Sequence, residues 1–62
     1  AFIVESRATV HTLHREAQAL GSKIIHTPQL FPQYRPYYYA TFWLDPEGFM
    51  LEVVCLNGEN IK

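Results

Sequence analysis

The fold turns on Tyr38-Tyr39-Ala40-Thr41-Phe42-Trp43-Leu44-Asp45-Pro46-Glu47-Gly48-Phe49-Met50-Leu51-Glu52, two apolar runs joined by Asp45-Pro46-Glu47-Gly48. Asp at the first turn position, Pro at the second and Gly at the fourth make the preferred composition of a type I turn. Followed by a left-handed Gly, such a turn closes a three-residue hairpin loop with a bulge. That register sets Asp45 against Phe49, Leu44 against Met50, Trp43 against Leu51 and Phe42 against Glu52. Directly opposed residues share a face. Glu52 therefore lies with Phe42, Ala40, Met50 and Val54, and the other face carries Thr41, Trp43, Leu51, Val53 and Cys55. A plain four-residue loop would instead place Thr41 opposite Glu52.

Working outward, Tyr37 to Leu44 and Phe49 to Leu56 read as the two hairpin strands, rich in aromatic and β-branched residues. Upstream, Pro28, Pro32 and Pro36 withhold amide donors, so residues 28–36 read as a loop. Lys23 to Thr27 reads as a short strand that ends at Pro28. From Arg7 to Leu20 the apolar positions Val10, Leu13, Ala17 and Leu20 are spaced by three and four, which makes one helical stripe. This stripe is expected to pack on the sheet face bearing Trp43, Leu51 and Val53. Thr12, Arg15 and Ala19 fall on the opposite side. Ser6 is a candidate N-cap and Gly21 a left-handed stop. Ala1 to Val4 reads as the end of a strand already under way, and the polar tail 57–62 as frayed. The expected class is α+β, one βαβββ module over residues 1–62, truncated in its first strand.

Composition narrows the function classes. The 62 residues are 48% hydrophobic, with four Tyr, four Phe and one Trp. That is too apolar for a disordered chain. A chain this short buries only roughly 60% of its unfolded surface, so a partner is expected. The net charge of −1, with no basic run, argues against nucleic acid as a partner. No apolar run approaches the ~20 residues that span a bilayer, and no signal-peptide pattern is present. Cys55 stands alone, which excludes an internal disulfide and fits a reducing, cytoplasmic setting.

Glu52 is the residue that does not fit its surroundings. It interrupts Phe49-Met50-Leu51-Glu52-Val53-Val54-Cys55, where every neighbour is apolar. An ionised carboxylate buried without a partner is very costly. Glu52 must be solvated at a sheet edge, or paired, or a metal ligand or general base in a cleft. Spacing leaves these readings open.

The hairpin with its preceding helix resembles the closing unit of the vicinal-oxygen-chelate superfamily, the glyoxalase, bleomycin-resistance and extradiol dioxygenase proteins. In that family an aromatic strand leads into Asp-Pro-x-Gly, and a metal-binding Glu follows four residues after the Gly. The resemblance covers nearly the whole chain. It implies that a second βαβββ module, from the same or another chain, completes a cup around a divalent metal. Zn, Ni, Fe and Mn are all open, and a homodimer is the expected assembly. Glu52 matches the family's last-strand ligand and, in glyoxalase-type chemistry, its proton shuttle. The first-strand ligand, usually a His, would lie upstream of Ala1. The family's dioxygenase and fosfomycin-resistance branches often carry a Tyr ten residues before the metal Glu, where this chain has Phe42. Tyr38, on the same face, is a partial replacement. Tyr38, Phe42, Met50 and Arg35 are the expected substrate contacts.

On this resemblance the whole protein is expected to be a metal-dependent, lactoylglutathione-lyase-like enzyme acting on a small substrate with neighbouring oxygens. This segment alone is expected to be inactive. The alternatives are a metal-free antibiotic-binding protein of the same fold and a module that makes only protein contacts. Other candidates rank lower. His11 and His14 flank the apolar stripe with no carboxylate at ligand spacing. His26 is expected to point the way of Ile24, as a half-exposed strand residue. Arg35 reads as a solvated loop residue or as a clamp for an oxyanion. Phe31, Tyr34, Tyr37, Tyr38 and Tyr39 read as cover or as an aromatic wall. No Ser-His-Asp order, phosphate-binding Gly loop or zinc-type Cys pair occurs in these residues.

Overall fold

Ser6 opens the helix in the computed structural model, which describes residues 1–56. Its Oγ accepts from the Thr9 amide at 3.2 Å, meeting one of the unpaired donors of the first turn. At the other end Gly21 takes φ +83°. Its amide donates to the Gln18 carbonyl and the Ser22 amide to Ala17, both at 3.0 Å, the paired bonds of a Schellman stop. Between these caps runs α1 (Arg7–Ala19), after β1 (Phe2–Val4) and before β2 (Lys23–Leu30), β3 (Tyr39–Leu44) and β4 (Met50–Cys55). The chain is an α+β βαβββ module. Its mixed four-stranded sheet has the order β1-β4-β3-β2. β1 lies parallel to β4, and the other pairs are antiparallel. The frayed tail expected at 57–62 lies outside the described residues.

The hairpin has the bulged register. Phe42 opposes Glu52, Trp43 opposes Leu51 and Leu44 opposes Met50. Gly48 sits at φ +90°. Asp45 holds the turn from both ends, since its Oδ1 accepts the amides of Glu47 and Phe49, each at 2.9 Å. An added Cβ at Gly48 would meet nothing within 4 Å, so its requirement is conformational alone. Gly48→Ala is expected to cost about 1–2 kcal/mol through the left-handed backbone. Urea denaturation measures this directly, and an unchanged midpoint would reject the strain argument.

The helix covers one face. Val10, Val53 and Cys55 form its core, with Val4, Leu13, Tyr39 and Trp43 packed around them. Thr12, Arg15 and Ala19 are exposed, as the stripe requires. Leu20 departs from expectation: it is 83% exposed rather than packed on the sheet, because the Schellman turn carries it past the end of β3 and β4. His14 takes a core place instead, with Nδ1 3.4 Å from the buried Thr41 hydroxyl. Thr41 donates in turn to the His26 carbonyl at 2.7 Å. Burial, with His11 and Arg15 nearby, lowers the His14 pKa.

The stretch from Pro28 onward requires a correction. β2 does not stop at Thr27 but continues through Pro28 to Leu30. β2 is an edge strand, and its pairing with β3 shifts register between Ile24 and His26 and again between His26 and Gln29. A proline is tolerated in such a bulge because no ladder bond needs its missing amide. The same shift moves His26. Ile24 opposes Trp43 on the helix face, whereas His26 opposes Phe42 on the other.

The second face is not the bare apolar patch expected of one helix on one sheet. Residues 31–38 fold back over it as a strap. Its turns close with the Tyr34 amide on the Phe31 carbonyl at 3.0 Å and the Tyr38 amide on the Arg35 carbonyl at 3.2 Å. The Phe31 amide donates to the Tyr38 carbonyl at 2.7 Å and shuts the base. Phe31 is thereby buried with Ala40, Phe42 and Val54 as a second core. Exposed apolar side chains remain beyond the strap, among them Ile3, Phe49 and Met50.

Candidate functional site

β4 brings Glu52 to the strap side of the sheet, half-buried and opposite Phe42. Tyr38 ends the strap just after Tyr37, whose φ of +68° is uncommon for a bulky residue. Tyr38 and Tyr39 then point to opposite faces: the Tyr38 hydroxyl donates to Glu52 Oε2, and the Tyr39 hydroxyl meets His11 Nε2 at 2.7 Å. The Glu52 carboxylate therefore has a partner, which resolves the question its apolar neighbours posed. Gln33, Tyr34, Arg35, Tyr38, Phe42 and Glu52 line one open cleft of about 510 Å³.

The wall of this cleft is a set of interlocked rings. Phe31 stacks on Tyr34 with centroids 5.6 Å apart and an interplanar angle of 14°. It meets Phe42 edge-on at 5.2 Å, and Tyr34 meets Tyr38 edge-on at 5.1 Å. These are the offset and T-shaped geometries that aromatic quadrupoles favour. His26 joins from β2, edge-on to Phe31 and Phe42.

The hydrogen bond that the phenol donates to the Glu52 carboxylate raises the Tyr38 pKa to about 12, with burial and the Glu52 charge adding to it and Arg35 opposing. Tyr38 stays a proton donor at neutral pH. Glu52 keeps Oε1 for a further donor.

Of the residues picked out from the sequence, Glu52, Tyr38, Phe42 and Arg35 come together in the cleft. Met50, on the same sheet face, is 61% exposed and does not line it. Gln33 and Tyr34 do line it. Gln33 carried no sequence signal, because only the strap's turns bring it over the sheet. Among the described residues no three of His, Cys, Asp and Glu gather as a metal site. No described helix is long and apolar enough to cross a membrane.

No family model matches the chain. No curated protein matches it either. Among solved structures it is similar to an NAD-dependent benzaldehyde dehydrogenase from Legionella pneumophila, with 27% identity and a TM-score of 0.75 over 90% of this chain. The chain spans 46% of that neighbour's length. This comparison overturns the vicinal-oxygen-chelate resemblance, since the neighbour is named as a dehydrogenase. The lactoylglutathione-lyase-like activity and the glyoxalase and bleomycin-resistance readings are corrected with it, and the antibiotic-binding alternative has no support. The physical reason lies in the motif. Asp-Pro-x-Gly reports a local turn, and a Glu four residues later reports a strand position beside it. Neither specifies the chemistry that a fold carries.

Proposed function

We propose that this chain contributes a substrate-holding wall to an enzyme that acts on a small aromatic carbonyl compound. The observation that carries the reading is the Tyr38–Glu52 couple set in an aromatic-lined cleft. A planar ligand would stack against Tyr34 and Phe42. Arg35 would donate to its carbonyl oxygen, and the Tyr38–Glu52 hydrogen bond would hold the adjoining wall of the cleft in place. The named aromatic aldehyde of the structural neighbour supports this ligand class. Hydride transfer is not assigned to these residues, since a Gly-rich loop that cradles a dinucleotide pyrophosphate is not among them.

A second module, from another chain or from elsewhere in the same one, would close the cleft on the β1–β4 side, where Ile3 and Met50 are exposed. A homodimer is the simplest such assembly. Glu52 by itself does not make a metal site. If a divalent ion belongs here, its other ligands come from outside the described residues, and no step is routed through it. A cytoplasmic setting accompanies the reading, with Cys55 buried in the helix-side core.

Titrating the intact protein with benzaldehyde, followed by aromatic NMR resonances, tests the proposal. Saturable shifts should centre on Tyr34, Tyr38 and Phe42. Arg35→Ala should weaken binding by about tenfold or more, because a hydrogen bond to a charged group contributes roughly 1.5–3 kcal/mol. Shifts confined to the helix face, or an unchanged affinity in that variant, would remove Arg35 and the cleft from the site.

A further inference from the structure

His14 is a titratable side chain set into the helix–sheet contact, 8% exposed, on the opposite face from the cleft. Counting protons fixes its form. The buried Thr41 hydroxyl has one proton, and it goes to the His26 carbonyl at 2.7 Å. Toward His14 the Thr41 oxygen can therefore only accept. His14 Nδ1, 3.4 Å away, carries the hydrogen and donates it. In a neutral imidazole the lone pair then sits on Nε2. One buried hydroxyl thus joins α1 to β3 and, through the His26 carbonyl, to the bulged part of β2.

A proton added at Nε2 leaves the Nδ1 bond in place. What it costs is the charge itself, brought into a contact that excludes water. The charged groups that bear on His14 are His11 and Arg15, both on α1, and both oppose an imidazolium. Arg7 stacks over Tyr39 two turns away, and Glu16 is exposed on the solvent side of the helix. β3 turns Tyr39, Thr41 and Trp43 toward α1, and β4 turns Leu51, Val53 and Cys55. β2 turns Ile24 that way, whereas Lys23 and His26 pair with Leu44 and Phe42 on the face that carries Glu52. β1 brings only Phe2, Ile3 and Val4.

We propose that His14 is an acid-sensitive latch for α1: neutral, with its hydrogen on Nδ1, it seats the helix on the sheet, and proton uptake at Nε2 releases it. The latch does not depend on the function assigned to the cleft. Its sign follows from linkage. Burial first, and then His11 and Arg15, hold the folded-state pKa below the ordinary 6.5. The contribution is therefore complete above pH 6.5 and is lost as the pH falls through the folded value.

Long-range proton–nitrogen NMR of the intact protein reads the tautomer. In mildly alkaline solution His14 Nδ1 should give the signal of a protonated ring nitrogen and Nε2 that of a bare one. The His14 titration midpoint should fall below 6.5. Hydrogen exchange of the α1 amides, corrected for its intrinsic pH dependence, should lose protection over the same window. The loss should be about tenfold for each pKa unit between the folded and unfolded midpoints. His14→Phe keeps a ring at this position and cannot take the proton, so its helix should keep its protection across that window. The opposite tautomer, a midpoint at or above 6.5, or an equal acid loss in His14→Phe would overturn the proposal. The first two readings need only the wild-type protein, so they decide the matter even where the variant does not fold.

Discussion

Phe42→Ala is expected to cost about 3–5 kcal/mol, the range for truncating a buried aromatic. Phe42 is 7% exposed and joins β3 to the strap through Phe31, to β4 through Val54, and to β2 through His26. Truncation leaves a cavity at the one place where all four segments meet, and rigid β-structure around it can collapse only in part. At roughly 0.05–0.15 kcal/mol per residue, a chain of this size holds only about 3–9 kcal/mol in total. The variant should therefore sit at the edge of unfolding. Phe49→Ala is the control, since Phe49 is 66% exposed and its loss should stay within about 0.5 kcal/mol. Urea denaturation of both variants checks the pair. Equal shifts in midpoint would mean that the strap does not make a second core.

The second large effect is electrostatic. Tyr38 should ionise near pH 12 while it donates a hydrogen bond to the Glu52 carboxylate, and in Glu52→Gln it should move back toward the ordinary value of 10.0. A return of the full shift is about 100-fold in the acid constant, at one decade per pKa unit. Only part of it should return if burial alone carries a share. The sign for stability follows from linkage. The folded-state pKa is raised, so the contribution is complete below pH 10 and is lost as the pH rises through 12. Wild-type protein should thus lose more stability than Glu52→Gln over that alkaline window. Ultraviolet difference titration, with Tyr38→Phe to identify the transition, reads the shift. Coincident curves for wild type and Glu52→Gln would show that the carboxylate does not hold the phenol.

The two effects concern residues that the sequence made visible to different degrees. The pairing of Phe42 with Glu52 was legible because a bulged type I turn leaves one register, and a slip by one residue would turn every side chain to the wrong face. Glu52 was legible as an anomaly, since a lone carboxylate among apolar neighbours must find a partner. Its partner was not, because Tyr38 reaches it through a strap whose path depends on two turns and a left-handed Tyr37. Proline placement gave the expectation of a loop at 28–36, which holds from Phe31 onward, whereas Pro28 stands inside a bulged edge strand that runs to Leu30. Local propensity does not say which strand lies at an edge.

What the sequence determined by itself is therefore local and periodic: a capped helix from Ser6 to Gly21, a hairpin closed at Asp45–Gly48, and the two faces of β3 and β4. Short-range hydrogen bonds and side-chain periodicity suffice for these. Tertiary structure alone decided that Phe31 roofs the second face, that His14 and not Leu20 completes the helix packing, and that Gln33 and Tyr34 join Glu52 in a cleft. It also set the Arg7 guanidinium over the Tyr39 ring. Each of these depends on segments distant in sequence meeting in space, where burial and hydrogen-bond satisfaction are settled for the whole chain together.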